Sequence, residues 1–131
     1  PDAARLAVIE AEARNGAADE QVALIRAYLA LGRTADARAL ARRAYRLLPM
    51  NPAVTRTYGW VAFDGGSPDL GIELLEKARA IDPGDPLTRW QLGRAYASLG
   101  RDRAARREIE AALSQPGFGA ADAARALLAR L

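Results

Sequence analysis

Apolar residues recur along this chain at steps of three and four, the spacing that puts side chains on one face of an α-helix. Leu24, Ala27, Tyr28 and Leu31 form one such stripe. Tyr58, Val61 and Ala62 form a second, and Leu92, Ala95, Tyr96 and Leu99 a third. Each stripe predicts an amphipathic helix, and each is followed by glycine: Gly32, Gly66 and Gly100. Glycine takes the left-handed conformation that ends a helix without a side-chain penalty. Thr34, Ser67 and Asp102 come directly afterwards and are expected to cap a second helix, with Pro68 suited to its first position. The second stripes are Ala37, Leu40, Ala41, Ala44, Tyr45 and Leu48, then Gly71, Leu74, Leu75 and Ala78, then Ala105, Ile109, Ala112 and Leu113. Pro49 and Pro83 stop the first two of these helices, and the run from Pro116 to Gly119 stops the third. No stretch alternates with a period of two, so strands are not expected.

The helix pairs are copies of one unit. Gly32, Gly66 and Gly100 lie 34 residues apart. So do Pro49 and Pro83, the alanines at 44, 78 and 112, and the small residues Ala37, Gly71 and Ala105. Four columns in one register divide the chain into units 18–51, 52–85 and 86–119. The small residues let two antiparallel helices approach closely. Residues 120–131 place Ala124, Leu127, Leu128 and Leu131 on one face and predict a helix covering the last unit. Residues 1–17 read as a second helix whose own first helix lay upstream. Its apolar face, Ala4, Ala7, Val8 and Ala11, is expected to contact the first helix of unit one or to self-associate.

A helix-turn-helix unit of this length and spelling resembles the tetratricopeptide repeat. In the third unit Leu92, Gly93, Tyr96, Gly100 and Ala105 fall on the family's signature positions. The first unit has Ile25 where the family prefers glycine, and the second has Ala62 in place of the usual tyrosine. All three lack the aromatic residue of the fourth position, where Gln21, Thr55 and Arg89 stand. The resemblance implies an all-α, right-handed superhelical solenoid forming a single domain with a C-terminal capping helix. The later units also look like the C-terminal repeats of longer bacterial proteins, some of them in exopolysaccharide export.

Composition narrows the chemistry. The chain of 131 residues has no cysteine and no histidine. Disulfides, thiolate or imidazole metal sites and every nucleophile–histidine pair are thereby excluded. Ser67, Ser98 and Ser114 have no base to activate them, so no enzymatic activity and no cofactor are expected. Net charge is only +3, with arginine balanced by Asp and Glu and Lys77 the one lysine. The arginines at 38, 42, 43 and 46, and at 101, 103, 106 and 107, are interleaved with acids and read as a solvated outer face rather than a nucleic-acid surface. The acid pairs Glu73 with Glu76, Glu108 with Glu110 and Asp82 with Asp85 read as surface charge. Nothing in the sequence resembles a membrane span, and the absence of cysteine suits a bacterial periplasm and cytoplasm alike.

The candidate binding residues lie opposite the core stripes of the first helices. At about 100° per residue, Val22, Arg26 and Leu29 face away from Leu24, Tyr28 and Leu31. The matching positions are Arg56, Trp60 and Phe63, then Trp90 and Arg94. Both tryptophans stand on a face that the core does not need, and tryptophan and arginine dominate binding hot spots. Family resemblance implies that this face lines a concave groove for a protein or peptide segment. The rival reading makes Trp60 and Trp90 joints between units, and the chain a spacer, cap or oligomerisation segment of a longer array. The lysine and asparagine pattern of chaperone-binding relatives is absent, so a C-terminal carboxylate is not the favoured ligand.

Overall fold

A computed structural model describes residues 2–14 and 16–131; Asn15, at the end of the expected leading helix, lies outside them. Eight α-helices are found among the described residues: α1 (Ala3–Ala13), α2 (Ala18–Ala30), α3 (Thr34–Leu47), α4 (Pro52–Asp64), α5 (Pro68–Ile81), α6 (Pro86–Ser98), α7 (Asp102–Leu113) and α8 (Ala121–Leu128). The pairs α2/α3, α4/α5 and α6/α7 pack as antiparallel hairpins stacked in chain order, giving an all-α helical solenoid.

The glycine turns are alike in backbone detail. Gly32, Gly66 and Gly100 have φ of 73°, 92° and 73°. In each turn the next residue's N–H reaches back five residues. Arg33 donates to the Tyr28 carbonyl at 2.8 Å, Ser67 to Ala62 at 2.9 Å and Arg101 to Tyr96 at 2.9 Å. These bonds satisfy carbonyls that a helix end leaves orphaned. The turn is so tight that Thr34 and Asp102 already stand at the first helical position, and the flanking Arg33, Ser67 and Arg101 make no side-chain cap. Side-chain capping occurs instead where Asp2, Asn51 and Asp85 accept backbone N–H bonds at the starts of α1, α4 and α6.

Close approach of the paired helices depends on missing side chains. A β-carbon at Gly71 would lie 2.5 Å from the Phe63 Cβ and 2.7 Å from its backbone, and one at Gly93 would lie 2.5 Å from Ile109 Cγ1. Ile25, Leu75, Leu92 and Ile109 are fully buried between the layers. Each contributes roughly 1.5 to 3 kcal/mol. Leu31 and Leu99, expected in the core stripes, are exposed, because they are the last residues before the glycine turns and project past the partner helix.

The two ends differ from the middle. α8 packs on α7, burying Ala124 with Ile109, Ala112 and Trp90. α1 packs on α2 as expected, but through Leu6, Ile9 and Ala13. The face expected to make that contact, Ala4, Ala7, Val8 and Ala11, is exposed, Val8 by 52%. In the register of the 34-residue unit these four positions match Arg38, Ala41, Arg42 and Tyr45, of which only Ala41 is buried, so the face is not the one that the hairpin packing covers.

Candidate functional site

Trp60 and Phe63 of α4 and Trp90 and Arg94 of α6 come together along one cleft. The Trp60 and Phe63 rings, three residues apart on α4, are stacked with centroids 5.8 Å apart and planes 20° apart. The Arg94 guanidinium, from α6, lies 4.4 Å above the Trp60 ring and 5.5 Å from that of Trp90. Ring faces are electron-rich, so this contact holds the cation in place without neutralising it. Among the described residues no carboxylate pairs with Arg94.

These side chains line a cleft of about 1000 Å³. Its far wall is α8, through Ala123 and Leu127, with Arg130 and Leu131 just beyond the helix end. Asp64, Ala97, Ser98 and Asp102 complete the rim. The contribution of α8 was partly legible, since Ala124, Leu127 and Leu131 share a stripe. That one helix both covers the last unit and walls the cleft, bringing in Arg130, carried no sequence signal.

The two tryptophans differ in burial. Trp60 is half-buried, whereas Trp90 is only 8% exposed, held between Ile109, Ala112 and Ala124 with one side toward the cleft. The other candidates are dispersed. Val22 is buried with Ala44 and Val54 in the joint between the first two units and does not face a groove. Arg56 is likewise buried, its Nη1 3.1 Å from Asp85 Oδ2. Opposition to the core stripe does not guarantee exposure at these two positions, because the neighbouring unit covers the start of each first helix. Leu29 is half-buried and borders a separate cavity with Val61 and Asp64, and Arg26 is exposed beside Arg5 and Ile9.

Several charges taken as solvated are structural. Glu108 is buried and accepts from Arg79 and, at 3.1 Å, from Arg89, closing the joint between α5, α6 and α7. Burial disfavours the Arg79 cation, but its hydrogen bond to Glu108 together with the charges of Glu108, Tyr96 and Glu76 outweighs that and raises the pKa. Burial likewise pushes the Asp85 carboxyl up, yet bonds from the Thr88 hydroxyl, the Leu87 amide and Arg56 bring it below the usual aspartate value. Burial and the hydrogen bond donated to Glu76 push the Tyr96 hydroxyl up to about 12. Arg38 donates to Ser67 Oγ at 2.8 Å and so pins α3 to the α4–α5 turn of the next hairpin. These interactions hold the units in place; none of these groups lines the cleft. Among the described residues no group of three acids could hold a metal ion, and no helix is long and apolar enough to cross a membrane.

Tetratricopeptide repeat family models match residues 22–86 and 62–131. The chain belongs to the tetratricopeptide repeat family. Solved structures of similar fold include the type III secretion chaperone SycD of Yersinia enterocolitica in complex with a peptide of the translocator YopD. That match has a TM-score of 0.75 and 15% identity over 86% of this chain and 89% of that one. The Sgt2 tetratricopeptide domain of Aspergillus fumigatus aligns with a TM-score of 0.76 and 22% identity, covering 86% of this chain and 74% of that one. The first tetratricopeptide domain of Spaghetti (RPAP3), bound to an HSP90 peptide, aligns with a TM-score of 0.71 and 17% identity, covering 84% and 89%. No curated protein matches the chain in sequence.

Proposed function

We propose that this tetratricopeptide chain is a non-catalytic scaffold that holds a segment of another protein in the cleft between α4, α6 and α8. The observation that carries this reading is Arg94, a cation laid over Trp60 and beside Trp90 with no carboxylate of its own among the described residues. A guanidinium positioned by rings and left without a counter-ion is prepared for an acidic group from outside. Trp60, Phe63 and Leu127 offer the area against which an apolar or aromatic anchor would lose its water. The ligand that fits is a short segment pairing such an anchor with an adjacent Asp or Glu. Fold relatives whose solved structures hold bound peptides support the class of ligand.

A positional-scanning peptide array read with the wild-type chain and with Arg94→Glu tests the proposal. Selection of peptides with an anchor beside an acid, lost in Arg94→Glu, is the expected result. An identical selection by both chains rejects it.

A further inference from the structure

The gaps between successive second helices are not closed alike. Between α3 and α5 the Tyr45 hydroxyl accepts from Lys77 Nζ at 2.7 Å, and its ring tilts against Tyr58. Between α5 and α7, Arg79 pairs with Glu108. Tyr45 and Arg79 occupy the same position of the 34-residue unit, and the residue one unit earlier is Ala11. No long side chain reaches across from that position, and between α1 and α3 lies a cleft of about 620 Å³ whose apolar lining includes Leu24 and Leu40. Arg43, one unit before Lys77, lacks the bridging partner that Lys77 has.

The rim of this opening is basic and apolar together. Arg14 and Arg43 line it, and among the described residues neither pairs with a carboxylate. The one acid in the lining, Glu10, accepts from the Tyr28 hydroxyl at 3.0 Å. Leu47 stands on the rim 75% exposed, with Met50 66% exposed in the turn beyond it. These are the most exposed large apolar side chains among the described residues.

We infer that the α1/α3 cleft, which shares no lining residue with the cleft of Trp60 and Arg94, is a second docking site for an acidic amphipathic helix of another protein. Leucine-sized anchors fit the apolar lining and meet Leu47, while carboxylates beside them meet Arg14 and Arg43. A flat anionic bilayer fits less well. The α5–α6 turn, at the same end of its hairpin as Met50, has Gly84 at the matching position and an exposed Asp82 nearby, which a negative surface would repel.

The test is a labelled amphipathic peptide of about four turns, leucine along one face and glutamate beside it, titrated against the full chain by fluorescence anisotropy. Saturable binding is expected, weakened about tenfold or more by Arg43→Glu, by Leu47→Asp, or by exchanging the peptide's glutamates for lysine. Both positions are exposed, so circular dichroism of these variants should match the wild type. Trp60→Ala should bind the peptide unchanged; loss of binding there moves the peptide to the other cleft and overturns the inference. Absence of binding, or indifference to Leu47→Asp, overturns it as well. So do binding to phosphatidylserine vesicles in place of the peptide, and a sedimenting dimer that Leu47→Asp dissolves, since these assign the patch to a bilayer or to a second copy.

Discussion

Arg56 on α4 holds Asp85 at 3.1 Å while Asp85 also caps α6 by accepting from the Leu87 amide. One carboxylate thus fixes both the start of a helix and its distance from the previous unit. Replacing Arg56 with Met leaves that half-buried acid without its cation. A loss of about 1 to 3 kcal/mol in urea unfolding is expected at pH 7. Because the folded pKa of Asp85 lies below the unfolded value, its contribution is present above about pH 4 and fades as pH falls through the folded value. Asp85→Asn should therefore flatten part of the acid limb of the stability curve.

Tyr96 predicts the alkaline limb. Its folded pKa of about 12 exceeds the ordinary 10.0, so the unfolded chain releases this proton first. Stability conferred by the neutral hydroxyl is complete below pH 10 and is lost as pH rises toward 12. The full effect is on the order of 2 to 3 kcal/mol. Tyr96→Phe should show a shallower decline over that window than the wild type in chemical denaturation.

The tryptophans should respond differently to truncation. Trp90→Ala empties a buried site and is expected to cost about 3 to 5 kcal/mol of stability. Trp60→Ala removes a half-buried ring and the platform beneath Arg94. It should leave thermal unfolding closer to the wild type and weaken an acidic, anchor-bearing peptide by roughly 1 to 3 kcal/mol. Calorimetry of both variants, with and without that peptide, separates the two roles.

Gly71→Ala probes the closest helix contact. Its new methyl meets Phe63 backbone, which cannot rotate away, so a penalty of about 1 to 3 kcal/mol or more is expected from α4 and α5 moving apart. Gly84→Ala meets only the Asp82 carboxylate oxygen at 3.8 Å and should cost far less. Parallel thermal melts check the contrast.

Deleting residues 120–131 uncovers Trp90, Ile109 and Ala112. Hydrogen exchange should accelerate in α6 and α7 well before α2 and α3, because each hairpin leans chiefly on its neighbours. Equal acceleration throughout would mean the array unfolds as one body.

The sequence exposed the hairpins because their punctuation is local: Gly32, Gly66 and Gly100 act through backbone conformation alone. It was less informative where a neighbouring unit decides the outcome. Glu108 and Asp85 looked solvated because their partners, Arg79 and Arg56, are 29 residues away in each case. The caps at Thr34 and Asp102 were displaced by one residue because the turn is shorter than a side-chain cap requires. For the cleft, the facing of Trp60, Phe63, Trp90 and Arg94 followed from helical angle. Burial of Val22 and Arg56 did not, since it depends on how far the next hairpin overlaps each helix.

The polar contacts across the joints also make the order of the hairpins part of the molecule's information. The glycine turns are interchangeable, and on backbone grounds any hairpin could follow any other. The side chains forbid it. Moving the third hairpin to follow the first would set Glu108 near Tyr45 in place of Arg79, leaving a buried carboxylate with Arg89 alone, and would strand Lys77 without Tyr45. A shuffled array would keep every helix and every turn, yet lose its joints.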